Sequence, residues 1–105
     1  MLAYEYQKLA MRTANETCRT LSNAGLGLAG EAGEAADIIK KHLFHGHLLD
    51  VDELIRELGD ICWYVALTAE LIGTDFETVL ETNIEKLKRR YPEGFSEEKS
   101  IKRLY

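Results

Sequence analysis

Proline and cysteine are scarce in this sequence. The 105 residues include one proline and two cysteines. With so few residues that interrupt helices, long helices can form over most of the chain, which favours an all-α fold. Cys18 and Cys62 lie in apolar stretches without the spacing of metal ligands, so we expect reduced core thiols and no disulfide. Reduced thiols are typical of the cytoplasm, and we expect a cytoplasmic protein.

The sequence also lacks a long apolar run and an excess of basic residues. No stretch stays apolar for the roughly 18 residues that a membrane span needs, and Met1 is not followed by a signal-peptide pattern. The formal net charge is −5, whereas binding to a nucleic-acid polymer usually needs a basic face. We therefore expect neither a membrane protein nor a nucleic-acid binder. A nucleotide substrate is compatible with this charge, because bound cations can draw phosphates to an acidic site.

Apolar residues recur at helical spacing along most of the chain. We predict a single all-α domain over 1–105, a four-helix bundle-like fold with helices at about 2–21, 26–44, 51–72 and 74–90. Ser22 to Gly25 is expected to end or kink the first helix. A short charged segment is expected from Ser96 or Glu97 onward. The third helix is apolar around a wide arc, which predicts self-association, and a dimer is favoured over a tetramer.

Two acidic pairs lie on the second and third predicted helices: Glu31 with Glu34, and Glu57 with Asp60. Each pair has i, i+3 spacing, which puts both side chains on one helix face about one turn apart. Their neighbours are small or apolar, so the carboxylates cost on the order of several kcal/mol to desolvate unless a positive charge joins them. The simplest solution is a hard divalent cation with oxygen ligands. The pattern predicts an enzyme site with Mg²⁺, for which Mn²⁺ could substitute.

Other interpretations of these acidic pairs stay open. A single Glu-x-x-Glu pair is common on solvated helix faces, but two pairs on consecutive apolar helices are harder to explain in that way. A di-iron bundle typically uses Glu-x-x-His on two helices, and this sequence contains no Glu-x-x-His. The glycines near the first pair destabilise a helix by about 0.5–1 kcal/mol each. Either close helix packing or room for metal and phosphate could explain them.

Five stretches, taken in order, resemble one known family. They are residues 25–34 (GLGLAGEAGE), 40–41 (KK), 57–60 (ELGD), 83–87 (NIEKL) and 90–95 (RYPEGF). Together they are similar to the MazG-like nucleotide pyrophosphohydrolases, over most of the chain from Tyr6 to about Phe95. The resemblance implies an all-α enzyme that splits nucleoside triphosphates into monophosphate and pyrophosphate, commonly as a dimer or tetramer.

The resemblance also implies a role for individual residues. The implied catalytic residues and Mg²⁺ ligands are Glu31, Glu34, Glu57 and Asp60. One of the glutamates would also activate the attacking water. The implied substrate-binding residues are Lys41, Tyr64, Asn83, Lys86 and Arg90. Side chains of the first helix, such as Gln7, Thr13 and Asn15, could contact the base.

The leading interpretation is an Mg²⁺-dependent nucleoside-triphosphate pyrophosphohydrolase that acts in cleaning the nucleotide pool. One alternative is an enzyme like phosphoribosyl-ATP pyrophosphohydrolase, within the same broad superfamily. A second alternative is a helical dimerisation module without catalysis. Trp63, beside the second acidic pair, is interpreted either as a base-stacking residue or as part of the core or an oligomer interface.

Overall fold

The fold is a set of helices, described in a computed structural model over residues 1–103. Within these residues the helices are α1 (Ala3–Met11), α2 (Leu21–Phe44), α3 (Val51–Leu71), α4 (Phe76–Arg90) and α5 (Glu97–Ile101). The same part of the chain contains no strand, only an isolated bridge between Pro92 and Gly94. The predicted all-α fold class is confirmed, and the short α5 follows the four longer helices.

The boundary between α1 and α2 differs from the prediction. A first helix was predicted to about residue 21, but α1 ends at Met11, and residues 12–20 form turns. There the Asn15 side chain accepts a hydrogen bond from the Cys18 N–H at 3.0 Å, and Thr20 accepts one from the Asn23 N–H at 3.1 Å. Such side-chain bonds offer the backbone an alternative to a continuing helix. The predicted break at Ser22 to Gly25 was wrong, because Thr20 caps α2 before it.

The later helices begin at side-chain caps. Asp50 accepts a hydrogen bond from the Glu53 N–H at 3.0 Å, and Asp75 accepts one from the Thr78 N–H at 2.8 Å. This backbone hydrogen bond lowers the pKa of the Asp75 carboxyl. Each cap satisfies an amide that has no partner inside its helix. The connection between α2 and α3 is short, and the two helices pack against each other as a helical hairpin.

One end of this hairpin carries the core. Ala24 of α2 packs with Ala66 and Leu67 of α3 and with Met11 of α1, all at most 6% exposed. The buried amide of Gln7 joins three helices here. It donates a hydrogen bond to the Ala66 carbonyl at 3.0 Å and accepts one from the Phe76 N–H at 3.1 Å. Because Gln7 lies on α1, these bonds hold the start of α4 against α1 and α3.

The other end of the hairpin, which we call the open end, is not covered by any of residues 1–103. Leu43 and Phe44 are 63% and 78% exposed at the end of α2, and Ile55 of α3 is 60% exposed. The Cα radius of gyration is 16.6 Å, against about 13 Å for a compact domain of similar length. Among the helices of residues 1–103, none is both long enough and apolar enough to cross a membrane.

Candidate active site

Helices α2 and α3 bring three carboxylates together at the middle of the hairpin. Glu31, Glu57 and Asp60 each offer one oxygen, and these three oxygens lie within 4.8 Å of one another. The two glutamates are half-buried, whereas Asp60 is exposed. An oxygen cluster of this size can close around a single divalent cation with small side-chain movements.

Helical periodicity explains why these acids face the neighbouring helix. Glu31 lies on the same face of α2 as the buried Ala24 and Ala35, at spacings of seven and four residues. On α3, Asp60 shares its face with Leu67, which is fully buried. The same faces of the two helices thus carry the small or buried apolar residues and the acids of the cluster.

The electrostatics of the cluster fit a cation. The Oε2 atoms of Glu31 and Glu57 are buried and have no hydrogen-bond partner among the described residues. The pKa of Glu57 is raised mainly by contact with the Glu31 carboxyl and, to a smaller extent, by burial. Contact with the Glu57 carboxyl raises the pKa of Glu34 in the same way. Carboxylate oxygens are the kind of ligand that Mg²⁺ and Mn²⁺ prefer, so these residues fit such an ion.

Glu34 and Glu57 also line an open cavity of about 710 Å³ that extends toward the loop between α2 and α3. Lys41 lies in this same cavity, where its Nζ pairs with Asp37 Oδ2 at 3.0 Å. Lys40 Nζ lies 3.1 Å from the other Asp37 oxygen. The two lysines lower the pKa of Asp37. Sequence reasoning did not single out Asp37, although it follows Glu34 at i+3 on the same face.

A smaller cavity of about 390 Å³ borders the other two carboxylates, Glu31 and Asp60. Its lining residues are Thr13, Glu31, Asp60, Trp63 and Tyr64. Trp63 Nε1 donates hydrogen bonds to the Ala10 carbonyl at 3.1 Å and to Thr13 Oγ1 at 2.8 Å. Trp63 therefore belongs both to the packed core and to the wall of this cavity. Among the candidates predicted on the first helix, Thr13 lines the cavity. The amide of Gln7 instead forms hydrogen bonds with Ala66 and Phe76 in the core.

The candidate residues of α4 lie elsewhere. Lys86 lines a shallow groove with Glu81, Thr82, Glu85 and Arg89, all from α4. Asn83 is exposed, and Arg90 is half-buried at the end of the helix. Neither carboxylate cavity is lined by a residue of α4. Within the described chain, the structure thus groups Lys41 and Tyr64 with the carboxylates and leaves Asn83, Lys86 and Arg90 outside that group.

An all-α domain with clustered carboxylates on a helical hairpin is a framework suited to metal-assisted hydrolysis of phosphate anhydrides. The model of the MazG nucleotide pyrophosphohydrolase domain matches residues 19–95, and the chain belongs to this family. It is 40% identical over 78 residues to the Gene 37 protein of Mycobacterium phage L5, which covers 70% of this chain and 68% of that protein. No solved structure matched significantly. Family membership indicates a hydrolase of nucleotide anhydrides, a class that generally depends on divalent metal.

Proposed function

We propose that the whole chain is one domain that acts as an Mg²⁺-dependent nucleoside-triphosphate pyrophosphohydrolase. It would convert ribo- or deoxynucleoside triphosphates to the monophosphate and pyrophosphate, and clean the nucleotide pool of the cytoplasm. The observation that carries this proposal is the cluster of Glu31, Glu57 and Asp60, in which two buried oxygens have no hydrogen-bond partner within residues 1–103. The match to the MazG family supports the reaction class.

Three carboxylates, those of Glu31, Glu57 and Asp60, would hold the cation. Glu34, which lines the larger cavity, would be the fourth ligand. When bound, Mg²⁺ or Mn²⁺ supplies positive charge that neutralises the polyphosphate and polarises the scissile phosphoryl group. The same charge favours the ionised forms of Glu34 and Glu57, whose pKa values are raised mainly by contact with a neighbouring carboxyl. One of the glutamates, for which we propose Glu34, would orient the attacking water and accept its proton.

The two cavities offer different chemistry to the two ends of a nucleotide. Lys41 lies with Glu34 in the larger cavity and is the candidate for binding phosphate oxygens. Asn83, Lys86 and Arg90 of α4 remain proposed phosphate contacts, although they line neither carboxylate cavity. The smaller cavity carries Trp63 and Tyr64, whose rings suit a nucleoside.

We also propose that the chain forms a homodimer, with a homotetramer as the alternative. Two observations support this proposal: the exposed apolar side chains of Leu43, Phe44 and Ile55 at the open end, and a radius of gyration larger than that of a compact domain of this length. Phe44→Ser should weaken self-association in sedimentation velocity while helicity is retained. Leu2→Ser, at a similarly exposed apolar residue before α1, is the matched control. A monomer at all concentrations for the unsubstituted chain would contradict the proposal.

The decisive experiment measures pyrophosphate release from a panel of ordinary, deoxy, oxidised and phosphoribosyl nucleoside triphosphates with Mg²⁺ or Mn²⁺. We expect release that requires the metal and is abolished by a chelator. Preference for phosphoribosyl-ATP would favour the histidine-synthesis alternative. Absence of both Mn²⁺ binding and turnover would favour a module without catalysis.

A further inference from the structure

One glycine of α2 makes room for an aromatic ring of α3. A Cβ built on Gly27 would lie 2.6 Å from Tyr64 Cδ1 and still closer to Cε1 and Cζ. These three nearest atoms all belong to the Tyr64 ring. A glycine that only allowed two helix backbones to approach would instead meet backbone atoms. By contrast, a Cβ on Gly25, two residues earlier, would meet nothing within 4 Å.

The place of this contact links it to the carboxylates. Gly27 precedes Glu31 by four residues, and Tyr64 follows Asp60 by four residues, so the ring lies one turn from the acid on each helix. Tyr64 lines the smaller cavity together with both acids. Its other neighbour is Trp63, whose ring meets it edge-on at a centroid distance of 5.0 Å and an angle of 79°. The ring is thus held between Trp63 and the surface of α2 left open by Gly27.

We propose that Gly27 is a positioning residue that fixes Tyr64 as a wall of the nucleoside side of the site. The proposal rests on the proposed function, because it takes the smaller cavity as part of the substrate site. Any side chain at position 27 would push the phenol ring off α2, toward Trp63 and into the cavity of about 390 Å³. The cavity would lose space for the nucleoside, whereas the carboxylates would keep their places on their helices.

The test compares Gly27→Ala with Gly25→Ala, in the full chain with native Tyr64 and with Tyr64→Ala. Trp63 is the single tryptophan, so its fluorescence without ligand reports the position of the Tyr64 ring. We expect Gly27→Ala to change the emission and to raise the nucleotide KM roughly tenfold, or about 1.4 kcal/mol. We expect kcat and Mn²⁺ affinity to stay within about twofold. Gly25→Ala should change none of these quantities.

The Tyr64→Ala background separates ring displacement from any general effect on α2. With the ring removed, Gly27→Ala should have no further effect on KM, because coupled residues are not additive. Equal effects of Gly27→Ala in both backgrounds would overturn the proposal. So would an unchanged emission, or a parallel loss of Mn²⁺ binding. If Gly27→Ala fails to fold, recovery in the double variant supports the clash with Tyr64, and failure of both variants overturns it.

Failure of the proposed function gives a different result. If the unsubstituted chain releases no pyrophosphate from any nucleotide, the enzymatic proposal fails. The ligand-free emission of the variants still shows whether Gly27 sets the position of Tyr64. An emission change confined to proteins that contain Tyr64 would retain the positioning role, and its absence would remove it.

Discussion

The two ends of the α2–α3 hairpin differ in how they are covered. At the closed end, around Ala24, Ala66 and Leu67, side chains from α1 and α4 bury the helix surfaces. At the open end, around Lys41, Phe44 and Glu53, this chain leaves apolar and charged side chains exposed. The carboxylate cluster lies between the two ends. The site therefore lies between a packed end and an exposed end of the hairpin.

The largest effect, on turnover, is expected at the carboxylate cluster between the two ends. Glu57→Gln or Asp60→Asn should lower turnover by at least about 100-fold, because each removes a charged oxygen from the proposed metal site. Pyrophosphate release measures turnover, and circular dichroism should show unchanged helicity. Glu16→Gln, on the exposed connection before α2, is the control and should retain activity. Loss of helicity together with activity would mean that the carboxylates are structural.

A large effect on stability is expected from the core of the closed end. Leu67→Ala should lower the free energy of unfolding by about 2–5 kcal/mol, because Leu67 is fully buried and leaves a cavity. Leu43→Ala, at the open end, should lower it by only about 0.5 kcal/mol at a concentration where the chain is monomeric. Urea denaturation measures both values. Similar losses for the two variants would erase the distinction between the ends.

A smaller effect is expected from the amide that joins three helices at the closed end. Gln7→Ala should lower the free energy of unfolding by about 1–3 kcal/mol, since it leaves the Ala66 carbonyl and the Phe76 N–H without their partner. Thermal unfolding at fixed protein concentration measures this effect, with the neighbouring exposed Lys8→Ala as control. An unchanged Tm would show that water takes over the hydrogen bonds of the amide. Water would then reach the closed end despite the burial of its side chains.

The smallest effect concerns the pH dependence of stability without metal. The raised pKa of Glu57 means that the folded chain holds protons more tightly than the unfolded chain. Its contribution is complete below the ordinary value of 4.5 and is lost as the pH rises through the raised pKa. Stability without metal should therefore fall over this range, and Glu57→Gln should flatten the fall. Saturating Mn²⁺ should flatten it as well, whereas an unchanged slope in both cases would exclude repulsion within the cluster.

The sequence predicted best those features that depend on one helix at a time. The spacing of Glu31, Glu57 and Asp60 indicated their helix faces, because helical geometry determines which side chains share a face. The end of α1 was not predicted, because Asn15 and Thr20 form local bonds that apolar periodicity does not reveal. The contact of Gly27 with Tyr64 depends on the packing of two helices, and so does the separation of Lys86 from the carboxylates. Neither can be inferred from spacing within a single helix.

The connection between α1 and α2 contributes Thr13 to the wall of the smaller cavity. Arg19 anchors it by an ion pair with Glu70 of α3 and by a hydrogen bond from Nη2 to the Met11 carbonyl at 3.2 Å. Thr13 lies between Met11 and Arg19, in a segment that these contacts attach to α1 and α3. The wall of the smaller cavity that Thr13 forms is therefore fixed by contacts within this chain, whereas the wall of the larger cavity near Lys41 lies at the exposed end of the hairpin.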